Sequence, residues 1–233
     1  MTVLASFLDR WFYLAMSLLI AAVVVYGFSH TIDETLVHPA YPRPPILYLH
    51  AAVFFGWVIL YIVQAALVRV RSINLHRRLG WFGAGLGVVI PVLGLSTAIV
   101  MAKFNTALGS LDSESFLVIA FSDMTSFAVP FGLAVLWRKE AERHRRLMLI
   151  ASCALTAAAF TRFPPALLPD PWFYTGVDGL IILGVLRDLI VSRRIHPVYL
   201  WALPMLLVVQ VGAVVIYRQS PNAWLAIADW LIR

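Results

Sequence analysis

The chain has 233 residues, of which 61% are hydrophobic and only 13% charged, with a net charge of +6. An average soluble domain is about 25% charged, and a water-soluble fold of this length has too little interior for so much apolar side chain. Composition therefore excludes an ordinary soluble enzyme or nucleic-acid-binding domain and predicts an all-α, polytopic membrane bundle.

Seven apolar runs follow in chain order, at about 11–29, 46–69, 79–102, 116–137, 147–164, 172–189 and 197–217. Each is close to the roughly 17 to 25 residues that cross about 30 Å of hydrocarbon. The alternation of a membrane barrel is absent. The first run is longer than a signal-peptide core and no small-residue cleavage site follows it, so it is expected to be retained. The loop "SHTIDETLVHPAYPRPP" after it is rich in Pro, as is "FPPALLPDPW" between the fifth and sixth runs.

His50, Trp57 and Gln64 recur at seven-residue spacing along the second run, with Tyr61 beside them. Imidazole, indole and amide facing lipid would be poor chemistry, so this stripe is expected to face the bundle interior. In the third run Gly83 and Gly87 have the small-xxx-small spacing that lets helices approach closely, which places that helix at the bundle centre. Pro91, Pro130 and Pro204 fall inside the third, fourth and seventh runs. Beyond the seventh, "SPNAWLAIADWLIR" carries Trp224, Leu225, Ile227, Trp230 and Leu231 mainly along one face and reads as a helix at about 221–232 on the outer membrane surface.

Lys and Arg accumulate in short cytoplasmic loops. Alternate connections here hold thirteen of the eighteen, which predicts a cytoplasmic N-terminus and an external C-terminus. The basic balance then reflects anionic lipid headgroups at the cytoplasmic face, with no nucleic-acid partner needed. The single Cys153 excludes an internal disulfide.

Ionisable groups inside spans cost about 2.5 to 3.5 kcal/mol each on insertion scales and call for a partner or a task. His50, Asp123, Arg162 and Asp178 lie in four different runs, all roughly 5 to 10 Å below the outer surface by helical rise. The expectation is an outward-facing polar cluster, with Arg162 bridging Asp123, Asp178 or both, and His50, Trp57, Tyr61 and Gln64 lining a pocket beside it. Ser122, Thr125, Thr161, Tyr48 and Tyr174 are near enough in sequence to add hydroxyls. The alternative is a set of structural ion pairs that lock helix register, and Gln210 in the seventh run reads as interhelical glue.

The tetrapeptide His-Arg-Arg-Leu occurs twice, at 76–79 and 144–147, each time at the cytoplasmic start of a run. His76 and His144 meet the equal-depth requirement of a bis-imidazole haem b, and Arg77 and Arg145 would face its propionates. The competing reading is an interfacial belt touching lipid phosphates. His30, His38 and His50 match no regular metal-ligand spacing.

The stretch "LHAAVFFGWVILYIVQAALVRVRSINLHRRLGW" with "ERHRRLMLIASCALTAAAFTRF" resembles a group of uncharacterised bacterial membrane proteins. Their features are a His early in one span, a Gln near its end, an HR-x-x-G start to the next and an HR-x-x-M start later. The matching positions are His50, Gln64, His76 to Gly80 and His144 to Met148. The resemblance implies a seven-span protein of the bacterial inner membrane and brings no chemistry with it. A looser similarity is to b-type transmembrane cytochromes. Three functions are therefore expected in order: a small-ligand protein or accessory subunit of a larger membrane complex built on the outer pocket; a haem- or quinone-linked electron carrier at His76 and His144; and an enzyme acting on a lipid or isoprenoid, with His50 as base beside Asp123 and a cavity running inward past Trp57.

Overall fold

The structure, a computed structural model, describes residues 3–110 and 113–233. Among the described residues it is all-helical, 82% helix without strands. The helices are α1 (Val3–Ser29), α2 (Pro45–Arg69), α3 (Ile73–Ala107), α4 (Ser113–Leu136), α5 (Ala141–Ala154), α6 (Ala157–Phe160), α7 (Phe173–Ser192), α8 (Pro197–Gln219) and α9 (Asn222–Ile232), with one π-helical turn at Asp33–Val37 after α1.

Local chemistry sets the boundaries. Pro45 and Pro197 open α2 and α8, where the missing N–H costs nothing and the fixed φ suits a helix. The His196 ring caps α8 by accepting from the Val198 N–H at 3.2 Å. Arg193 and Ser220 end α7 and α8 in the left-handed region, at φ 53° and 42°, so two helices stop without glycine.

Five helices are long and apolar enough to cross a membrane: Ala5–Ser29, Pro45–Arg69, Ile73–Ala107, Ser113–Leu136 and Pro197–Gln219. The fifth and sixth apolar runs take other forms. The fifth divides into α5 and α6 at Leu155–Thr156, where the Thr156 N–H and hydroxyl both bond the Cys153 carbonyl, at 2.9 and 2.6 Å. At 14 residues, α5 is about 21 Å long. The sixth run, α7, carries Asp178, Arg187 and Asp188 within its 20 residues.

The core is also placed differently from the sequence expectation. Leu147, Leu149, Ile150, Ala151 and Cys153 on α5 are all fully buried, and α4 packs against α3, α5 and α8. By contrast α3 is peripheral: Val88, Val89 and Val92 are exposed apolar residues of the kind a lipid-facing flank carries. Its glycines serve two neighbours rather than a central position, since a Cβ on Gly83 would meet Leu60 of α2 and one on Gly87 would strike the Phe131 ring of α4 at 2.2 Å. Helix α9 forms as expected, docks on α3 and α4 through Ala228 and Ile232, and leaves Ile227 and Trp230 exposed.

Candidate functional site

The outer-level residues divide into separate contacts. On α2, His50 stacks on Phe54 with ring centroids 3.9 Å apart, and its buried Nδ1 has no protein partner. Two turns further along α2, Trp57 is buried against Phe127 and Phe131, at 5.2 and 5.6 Å. Tyr61 is buried in the main core.

Asp123 accepts from the Tyr174 hydroxyl at 2.7 Å, and the same hydroxyl stands 3.3 Å from Ser122. Asp178 accepts from the Gln210 amide at 3.2 Å, so Gln210 does join two helices. Arg162 does not bridge either carboxylate. Its guanidinium donates to Thr31 Oγ1 at 3.2 Å and to the Ala158 carbonyl, and it lies 4.4 Å from the Phe28 ring centre. The helix break explains the difference: Arg162 follows α6 in a turn, which directs it to the end of α1 and away from α4 and α7. Asp123 and Asp178 therefore have no cationic partner among the described residues.

Of the histidines His30, His38 and His50, the first two bond to groups close by in sequence. His30 bonds the Tyr26 carbonyl and His38 pairs with Asp33, both at 2.8 Å.

At the starts of α3 and α5 the two His-Arg-Arg-Leu segments do meet. The His76 and His144 rings lie nearly perpendicular, 81° apart, with centroids 6.3 Å apart. His144 Nδ1 is 2.9 Å from the Ala134 carbonyl, so it carries the hydrogen. Gln64 sits on the other ring. With its amide turned so that the oxygen accepts from the Gly80 N–H at 3.0 Å, the orientation its neighbours favour, its NH2 faces the His76 carbonyl at 3.2 Å and His76 Nδ1 at 2.6 Å. Gln64 thus belongs to this inner site and not to the outer pocket. Arg145 is held by Glu142 at 2.7 Å and stacks near Tyr13, whereas Arg77 stays exposed.

Beside this pair lies a charge network that the sequence reading did not isolate. Arg146 reaches Asp188 through two hydrogen bonds, at 2.8 and 2.7 Å, and Glu142 at 2.6 Å. Arg187 donates to Asp188 at 2.9 Å and also to Asp9. Arg146, Arg187 and Asp188 are all buried. Partial burial acts to raise the Glu142 carboxyl, but hydrogen bonds and charge from Arg146 and Arg145 outweigh it and hold it below its ordinary value. The available signal was Asp188, an acid at the inner end of an apolar run.

No protein-family model matches the chain, and comparison with curated proteins and with solved structures returns no significant match.

Proposed function

We propose that the protein is a seven-span bacterial inner-membrane protein, N-terminus inside, that holds a small polar ligand between the outer end and the middle of its bundle. The observation carrying this reading is a set of buried polar atoms without protein partners on four helices: His50 Nδ1 and Trp57 Nε1 on α2, Thr97 Oγ1 on α3, Ser126 Oγ on α4 and Gln210 Oε1 on α8. Each such atom costs about 1 to 3 kcal/mol if left unsatisfied, and native proteins rarely leave them so. Asp123 and Asp178 are half-buried at the same depth, so the ligand presents hydrogen-bond donors to carboxylates.

In this reading α5, α6 and α7 complete seven crossings. A short or broken helix is tolerated at membrane depth where protein surrounds it, and α5 is enclosed. Native mass spectrometry of protein ejected from its own membrane tests the proposal. The expected result is a non-lipid adduct that disappears with Asp123→Asn and Asp178→Asn together. A bare protein mass in the wild type would overturn it.

A further inference from the structure

The hydrogen-bond partners of the two inner imidazoles assign them opposite tautomers. The Ala134 carbonyl can only accept, so neutral His144 has its hydrogen on Nδ1 and a bare Nε2. The His76 carbonyl can only accept and the Gly80 N–H can only donate, so together they orient the Gln64 amide whatever the state of the imidazole. Its NH2 then points at His76 Nδ1, which must offer a lone pair, and the His76 hydrogen sits on Nε2.

This asymmetry decides what the pair can hold. A bis-imidazole haem would need a bare Nε2 on both rings, with each Nδ1–H turned to an acceptor. His144 satisfies that requirement and His76 opposes it. Nor do the rings bond each other: a direct N–H···N bond would bring the centroids to about 5 Å, and they stand 6.3 Å apart. One donor and one acceptor across such a gap suit a single oxygen that accepts from His76 and donates to His144. An oxygen that does both is a hydroxyl. Both rings are half-buried at the inner ends of α3 and α5, and Trp81 and Phe82 a turn or two further along α3 are exposed apolar residues, so the ligand is an amphiphile. A phenolic hydroxyl, with a pKa near about 10, is a better donor to imidazole than an alkyl alcohol.

We propose that His76 and His144 form a donor–acceptor site for the ring hydroxyl of a lipid-soluble phenol of the quinol class. Gln64 is its positioning residue, setting the His76 tautomer without touching the ligand.

Nitrogen-15 spectra of histidine-labelled protein in nanodiscs test the tautomers, and titration tests the site. The expected spectrum has one neutral ring protonated at Nε2 and the other at Nδ1, and Gln64→Glu moves only the first to Nδ1–H. A decyl-substituted benzoquinol should bind at least tenfold more tightly than its dimethyl ether, which accepts but cannot donate. Gln64→Glu should weaken quinol binding by a similar factor and, with both Nε2 atoms bare, acquire a Soret band on addition of haemin that the wild type lacks. If Gln64→Glu fails to fold, the wild-type spectrum and the quinol-to-ether ratio still decide. Two Nδ1–H rings in the wild type, equal affinity for quinol and ether, or binding of neither would overturn the proposal.

Discussion

Asp188 is the residue on which the inner end of the bundle depends. It is fully buried between Arg146 and Arg187, which reach it from α5 and from its own helix. Removing one partner of a buried ion pair leaves the other charges desolvated and uncompensated, a loss of about 3 to 5 kcal/mol. Asp188→Ala should therefore lower unfolding stability in detergent by that amount, and a change under about 1 kcal/mol would contradict the network's role. Glu142 behaves differently because its side chain is 57% exposed. Its folded-state value is depressed, so its contribution is present above the ordinary Glu value near 4.3 and fades as pH falls below that through the folded value. Glu142→Gln should flatten the acid limb of the melting curve below about pH 4.5 and cost only about 0.5 kcal/mol at neutral pH, the range of exposed pairs. An unchanged acid limb would assign the pH response elsewhere.

Helix packing turns on glycines that the sequence pattern does not rank. A Cβ on Gly27 would stand 2.4 Å from the Ala159 carbonyl oxygen, backbone that no rotamer change can move. Gly27→Ala must push α1 away from α6, at a cost of about 1 to 3 kcal/mol. Gly85 on α3 has nothing within 4 Å of its Cβ position, so Gly85→Ala should be neutral or stabilising by up to about 1 kcal/mol. Thermal unfolding of the two variants side by side checks this, and equal effects would show that the α1–α6 contact is not close. The break between α5 and α6 is likewise a matter of packing. "LIASCALTAAAF" has neither Pro nor Gly, and its Ala, Ser and Cys side chains are small enough for α1 to press against the backbone.

Across the whole molecule, the buried network changes how the cations are counted. Arg146 and Arg187 are paired and enclosed, so they do not act as free loop charges. Setting them aside still leaves eleven of sixteen Lys and Arg on the side assigned to the cytoplasm. The orientation therefore does not rest on them. A periplasm-active phosphatase fused after Arg233 should be active, and a fluorescent protein that matures only in the cytoplasm should be bright when fused before Met1. The reverse pattern would invert the topology, and the same outcome at both ends would remove one crossing.

The sequence by itself determined the all-helical class and the order of the long apolar helices. A chain this apolar must hydrogen-bond its own backbone in lipid, and that constraint acts on every residue locally. It also placed Gln210 as a link between helices and put His76 and His144 at one depth, because helical rise converts sequence offset into height. What it left open was direction around each helix axis. Arg162 turned toward Thr31 because a helix break redirected it, and Gln64 turned toward His76 because Gly80 offered its amide an N–H. Arg146 and Arg187 passed from loop cations to buried partners of Asp188 in the same way. Depth is a property of one helix and is legible in its sequence; which side chains face each other belongs to pairs of helices, and only tertiary packing decided it.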